Sequence, residues 1–338
     1  MTSHPLRFPL LSVRLGLALS LGLAAAACGG DDGAAAPDGG LDAPLGDPDT
    51  LVGHFNVELI APIPATEDTP ATDGYTTVLG IVLDRPQPEA VIWDAVLTDG
   101  ACVLRIPRVP FCETPCGGSA VCVDDDTCQP YGTRQDVGTV QATGLMTTGG
   151  ASSFELTSVS GNYQVPGNLR LAYPAFAPGA AFALAASGST FTPAFTLTGK
   201  GIAPLQLTSG DAALARNEPL TITWTAPTGD AASRVAVLLD ISHHGGSKGK
   251  IECDAPDTGA LTLSAAIMTR LLDLGAAGFP TIIVTREATT SALVTSGRVD
   301  LVASSKIERP VTVPGIQSCT DDSECTPPQT CQADLTCR

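Results

Sequence analysis

Leu220-Thr221-Ile222-Thr223-Trp224-Thr225 alternates apolar residues with threonines, and this stretch decides the fold. Successive side chains of an extended strand point to opposite faces. Leu220, Ile222 and Trp224 therefore share one face, giving a half-buried strand with the indole toward a core. After a turn over Pro227 to Ala232 the pattern returns in Val235, Val237, Leu239 and Ile241. Lys250-Ile251-Glu252-Cys253 and Leu261-Thr262-Leu263 follow at short spacing. Thr281 to Thr285, Arg298 to Ala303 and Lys306 to Val313 supply further strands. Ser264 is placed to cap one helix running through Leu274 and closed by Gly275.

The N-terminal half has the same character. From Leu51, the residues Val52, His54, Asn56 and Glu58 alternate with Gly53, Phe55, Val57 and Leu59, and the second set is expected to face a core. Thr76 to Leu83 (TTVLGIVL) reads as a more fully apolar strand, and Ala90 to Val96, containing Trp93, as another. Val137 to Leu145, Phe154 to Val159 and Asn162 to Val165 continue the pattern, while Tyr173 to Phe191, with Pro, Gly and Ala interleaved, is ambiguous between strand and loop. Short β-branched runs between Gly, Pro, Asp and Ser clusters predict an all-β chain. About 288 residues follow position 50, enough for two domains. We expect a first β domain over 51–201, with a Cys-rich insertion at 102–130, then a β-sandwich over 202–315 and a Cys-rich module over 316–338.

The N-terminus is a different kind of segment. Positive charge at Arg7 and Arg14 precedes an uncharged apolar run from Leu15 to Ala27, which ends in Ala25-Ala26-Ala27 ahead of Cys28. That is the layout of a secretory signal peptide over 1–27. The run of about 13 residues is shorter than the roughly 20 a spanning helix needs. Gly, Asp, Ala and Pro dominate the stretch up to Thr50, a composition that cannot bury apolar surface. As a flexible coil of about 22 residues it would span roughly 25 Å, so 28–50 is expected to be a tether.

The chain has 11 cysteines. Setting Cys28 aside leaves ten, of which Cys112, Cys116, Cys122 and Cys128 form one group and Cys319, Cys325, Cys331 and Cys337 another. Cys102 and Cys253 remain. Close, even-numbered cysteines in an exported chain read as a disulfide framework. Zinc is the alternative, but neither group has paired C-x2-C knuckles. Four cysteines allow three pairings, and spacing does not choose among them. First-with-third and second-with-fourth is the working hypothesis, which leaves Cys102 to pair with Cys253 across the two domains.

Lys and Arg number 18 against 35 Asp and Glu, a net charge of −17. Removal of 1–27 takes two arginines and brings the net to −19. Nucleic acid and anionic lipid surfaces need clustered cations, so neither is an expected partner. The acids keep an exported protein soluble.

Candidate chemistry is sparse. His243-His244-Gly245-Gly246 is followed by Asp254 and Asp257, a set that suits Zn²⁺ or a similar ion. Neighbouring strand residues face opposite ways, so both imidazoles reach one ion only from a loop; a hairpin turn with polar tips is the plainer reading. His54 lies in an alternating strand and reads as a surface residue. No G-x-S-x-G elbow is present, and the Gly-Lys segment lacks phosphate-loop spacing. Asp124-Asp125-Asp126 and Asp321-Asp322 lack EF-hand spacing. Trp93 and Trp224 read as core anchors; a glycan-binding platform would require one of them to be exposed. No catalytic residue and no cofactor are expected.

Three resemblances add to this. The segment ending at Cys28 resembles a bacterial lipobox, which implies cleavage before the cysteine and acylation of its thiol and new amino group. Gly29 in place of Asp then implies sorting to the outer membrane. A cleaved, non-lipidated signal peptide is the alternative, since Ala25 stands where lipoboxes usually have Leu. The C-x5-C-x5-C-x5-C spacing of Cys319 to Cys337, repeated with one shortened gap at Cys112 to Cys128, resembles small Dickkopf-type modules of bacterial lipoproteins. The order of the PLTITW strand, the Val-rich strand and the Asp257-Thr258-Gly259 turn resembles Ig-like or fibronectin-III-like sandwiches over roughly Ile202 to Pro314. Together they imply a non-enzymatic, lipid-anchored envelope protein that meets an envelope or extracellular protein. A metal-binding protein or metal-dependent hydrolase at His243 and His244, and a glycan-binding surface module, are the alternatives.

Overall fold

Phe55, Gly80 and Tyr163 stand in one row across three neighbouring strands, and the first core is built around them. The structure is a computed structural model that describes residues 45–65, 70–228 and 233–338. The signal segment, Cys28 and most of the expected tether lie outside the described residues. The first strands are β1 (Leu51–Ile60), β2 (Tyr75–Val82), β3 (Ile92–Asp99), β4 (Cys102–Arg108), β5 (Ala120–Asp124) and β6 (Thr127–Pro130). Then come β7 (Val140–Thr143), β8 (Ser153–Val159), β9 (Asn162–Gln164), β10 (Ala181–Ala186), β11 (Phe195–Lys200) and β12 (Ala212–Ala213). β13 (Leu220–Thr223), β14 (Arg234–Asp240), β15 (Lys250–Pro256) and β16 (Ala260–Leu263) lead to helix α1 (Ala265–Leu272). The long strands β17 (Thr281–Val294) and β18 (Gly297–Thr312) complete the body.

The chain is all-β in class. One sheet runs β11-β10-β7-β8-β9-β2-β1-β18-β17-β14-β15-β4-β3, with β12 added beside β18. All its named pairs are antiparallel except β1 with β18 and β12 with β18. In its first half the sheet curls until β11 lies against β17, where Thr290 Oγ1 donates to the Thr198 carbonyl at 2.7 Å. The curl encloses a core of Phe55, Val57, Leu59, Tyr163, Phe182 and Leu184 with Val299 and Leu301. Gly80 makes room for it: a Cβ there would sit 2.2 Å from the Phe55 ring. The Phe55 and Tyr163 rings meet across that gap at 5.8 Å.

The second half is sandwich-like. Strands β17, β14, β15 and β4 face the β13–β16 pair and α1 over a core holding Trp224, Val237, Leu239, Ile251, Ile267 and Leu271. Ser264 caps the helix by accepting from the Ile267 N–H. The helix ends at Leu272, two residues before the expected Leu274, where Arg216 Nη2 takes the Leu272 carbonyl.

Several expectations change. The two cores do not divide at residue 201. Leu104 joins the second core, and Val294, Val299, Leu301 and Ala303 join the first. Leu104 does so because β4 pairs with β15, and the other four because the β17–β18 hairpin is long enough to serve both lobes. The expected strands 298–303 and 306–313 are one strand, β18. The apolar run Thr76–Leu83 is buried on one face, with Leu79 48% exposed, and Val52, expected to face outward with His54, is buried in the first core. Tyr173 to Phe191 holds a strand, β10, in which Phe182, Leu184 and Ala186 face the core.

Five disulfides are present: Cys102–Cys253, Cys112–Cys122, Cys116–Cys128, Cys319–Cys331 and Cys325–Cys337. Each cysteine group thus pairs first with third and second with fourth. Cys102 and Cys253 do not bridge two domains. They are opposite each other on the adjacent strands β4 and β15, inside the second core.

Candidate functional site

Asp257, one of the expected metal ligands, is committed elsewhere. It sits in the turn between β15 and β16, and Arg286 reaches it from β17, with both side chains at most 2% exposed. Arg286 Nε donates to Asp257 Oδ2 at 2.6 Å and Nη2 to Oδ1 at 3.0 Å. Trp224 Nε1 and Ser233 Oγ donate to the same carboxylate at 2.6 and 2.7 Å. The remaining guanidinium N–H groups take the carbonyls of Ala203, Pro204 and Thr225. Burial works against the charge on Asp257, but the bonds from Arg286, Ser233 and Trp224 prevail and hold its carboxyl below the usual range. This is a joint of the fold with no vacancy for a ligand atom. Asp254 is exposed and paired with Arg234.

The other two expected ligands occupy the β14–β15 turn, as a hairpin reading requires. The His243 and His244 rings are 3.9 Å apart between centroids. Asp240 lies 4.0 Å from His243 Nδ1, and Glu308 4.0 Å from Nε2. The carboxylates approach opposite nitrogens, so one ion cannot use that ring and both acids together. Neither Asp254 nor Asp257 joins the histidines. What the turn does hold is another segment. Phe279 N donates to the His243 carbonyl at 2.8 Å, and Gly245 approaches Gly278 so closely that a Cβ would lie 2.1 Å from its nitrogen. Gly278 in turn donates to the Asp334 carbonyl at 2.7 Å and accepts from Ser318 Oγ at 2.5 Å. The C-terminal module is therefore seated behind the histidine turn.

That module has a core made only of its cystines, with Cys319 fully buried. Its acids hold the backbone: Asp321 Oδ1 accepts from Ser323 N and Asp322 Oδ1 from Cys331 N. Asp125 and Asp126 do the same for Phe111 N and Glu113 N in the first module. The sulfurs of Cys112, Cys116 and Cys122 lie within 4.8 Å of one another, as do those of Cys319, Cys325 and Cys337. Two neighbouring bridges bring them together, and bridged sulfurs carry no thiolate for zinc.

The two tryptophans differ. Trp224 is 3% exposed and anchors the core as expected. Trp93 is not a core anchor: it is half-buried on the edge strand β3, with Lys250 Nζ 4.1 Å above its ring. His54 is also less exposed than expected. It borders a cleft of about 830 Å³ with Asp49, Gln87 and Arg134. Burial lowers its pKa, and Asp300 opposes the shift. Asp300 is itself engaged by Arg298 Nε at 2.9 Å and Ser291 Oγ at 2.7 Å.

The linker ahead of β1 is fastened to the tip of the β17–β18 hairpin. Gly46 N donates to the Val294 carbonyl at 2.9 Å, and Arg298 Nη1 to the Pro48 carbonyl at 3.0 Å. The C-terminal module meets the other end of the same hairpin, since Gly278 lies three residues before Thr281. Nothing in the sequence pattern marked these two attachments; they depend on backbone contacts between distant segments.

No protein-family model matches this chain, and no curated protein matches it. Among solved structures it is similar to the crystal structure of the FN1–FN3 domains of chicken CNTN1, with 11% identity over 69% of this chain and 71% of that one. The TM-score of 0.18 is too low to support any argument about arrangement or function.

Proposed function

We propose that this chain is a non-enzymatic, lipid-anchored envelope protein that holds disulfide-stapled modules away from the membrane as interaction elements. One observation supports the reading most. The linker that leads back to Cys28 is fastened at one end of the β17–β18 hairpin, and the C-terminal module at the other. With 14 residues in β17, the hairpin separates these ends by up to roughly 45 Å. A chain anchored by lipid at Cys28 would then carry the module on the far side of a rigid body. The Asp257 network and the seated histidine turn fit the same reading, because polar groups that sequence alone could assign to chemistry are used to hold the body together.

The test is fractionation of cells carrying the full chain or its Cys28→Ser variant, with metabolic labelling by an alkyne fatty acid. The parent chain is expected in the detergent-soluble membrane fraction and labelled, and the variant soluble or uncleaved and unlabelled. A variant that stays membrane-bound and acylated overturns the anchor. Proximity labelling with and without residues 316–338 tests the display role; an identical set of neighbours in both would overturn it.

A further inference from the structure

An open cleft of about 630 Å³ lies where β2 begins, beside the segment 165–171. Its floor is apolar, from Val165, Leu169 and Leu171, and Tyr75 stands at its side with 49% of its surface exposed. Asp73, Thr77 and Arg170 line it as well. Among the described residues none of these three side chains, nor the Tyr75 hydroxyl, has a hydrogen-bond partner. The backbone beneath is held firmly. Thr76 Oγ1 donates to the Ala172 carbonyl at 2.7 Å, Thr148 N donates to the Arg170 carbonyl at 2.9 Å, and Leu171 bridges to both Thr76 and Thr147. Gly74 admits the Tyr173 ring so closely that a Cβ would lie 2.7 Å from it.

We infer that this cleft is a binding site for a neutral saccharide. A sugar ring has apolar C–H faces and a polar edge, and the cleft offers the complement of both. The aromatic ring and apolar floor receive the face, while hydroxyl, carboxylate and guanidinium groups around them receive the edge. Charge selects within this class. Arg170 and Asp73 offset each other, and the chain as a whole carries −17, so an anionic ligand gains one cation against a repelling field. A cationic ligand is drawn by the field and by Asp73 but must sit beside the guanidinium, whereas a neutral one uses both charged groups as hydrogen-bond partners at once. A lipid tail would leave the polar edge unpaired, which costs affinity. The volume lies within the range of small-molecule sites, and a floor fixed by β-bridges spares a ligand the ordering of loops. The inference is independent of the lipid anchor, and it moves the glycan-platform expectation from the tryptophans to Tyr75.

Saturation-transfer NMR and calorimetry on the full chain would test it, using a panel of cellotetraose, maltotetraose and chitotetraose at millimolar concentration. At least one is expected to bind, with transfer to its ring C–H protons. Tyr75→Ala should weaken that binding about tenfold, and Arg170→Ala should also weaken it. Unchanged far-ultraviolet dichroism and melting of the Tyr75→Ala variant show that any loss is local. A Trp93→Ala variant should bind as the parent does. Absence of transfer to every sugar in the panel, or equal binding by the Tyr75→Ala variant, overturns the proposal.

Discussion

Arg286 and Asp257 satisfy each other with two parallel bonds, and the rest of their hydrogen-bonding capacity is filled by Trp224, Ser233 and three backbone carbonyls. All five guanidinium N–H donors are thereby used. The pair lies at one of the places where the chain passes between the two cores, since Ala203 and Pro204 stand between Ile202 of the first and Leu205 of the second. Removing one partner from a buried pair leaves the other as an uncompensated charge. Asp257→Asn is accordingly expected to lower the stability of the body by about 3–5 kcal/mol in urea unfolding. The double variant Asp257→Leu with Arg286→Met should cost less than either single change. A loss of under about 1 kcal/mol in Asp257→Asn would contradict the assignment of this joint.

The same pair fixes a response to acid. The folded-state pKa of Asp257 is lowered, so its contribution is fully present above the unfolded carboxylate value near 3.9 and is lost as pH falls through the folded one. Stability of the parent chain is expected to hold from neutrality to about pH 4 and to fall steeply below. Chemical unfolding at stepped pH checks this: Asp257→Asn should start lower and fall less in the acid range.

Tyr163 gives a counterpart at the alkaline end. Burial, with Asp136 adding to it, pushes its phenol up to about 12. A raised folded pKa means that its contribution is present below the unfolded value near 10 and is lost as pH rises toward the folded one. Its hydroxyl also accepts from the buried Val137 N–H at 2.8 Å. Tyr163→Phe leaves that donor unpaired and should cost about 1–3 kcal/mol at neutral pH. Absorbance titration of the tyrosinates should lose its latest-titrating component in this variant.

The bridge from Cys102 to Cys253 spans 151 positions in sequence. By the chain-entropy model its removal costs up to about 5 kcal/mol. Cys102→Ser with Cys253→Ser is expected to lower the urea midpoint of the whole body, because β4 and β3 are held to β15 at that point.

The C-terminal bridges should behave otherwise. The module has no apolar core beyond its cystines, so Cys319→Ser with Cys331→Ser is expected to expose 316–338 to limited proteolysis. The unfolding midpoint of the body should stay unchanged, since the cores draw on residues before Gln317.

Local patterns in the sequence carried much of this architecture. The Leu220–Trp224 alternation, the Ser264 cap and the β14–β15 hairpin all depend on neighbours in sequence, and all stand where the pattern puts them. The parallel pairing of β1 with β18 depends on residues about 246 positions apart, and periodicity holds no record of a partner. Arg286 was missed although a signal was there. Ile282, Val284 and Arg286 share parity, so the strand aims the arginine at the same core as the two aliphatic residues. In β10 the alanines of Ala181–Ala186 blurred an alternation that Phe182 and Leu184 carry. For the histidine turn, sequence gave the loop but not the glycine-to-glycine contact that seats the C-terminal module.

The parallel register of β1 and β18, from Leu51 beside Arg298 to Leu59 beside Ser305, also fixes how the body bears load. Traction on the linker pulls β1 back along its own axis, while traction on the C-terminal module pulls β18 in the opposite direction. The two strands are then drawn past each other, and the ladder bonds between them share the force together instead of opening one after another as in a zipper. A body tethered at one end and gripped at the other would resist extension through that ladder before either core is exposed.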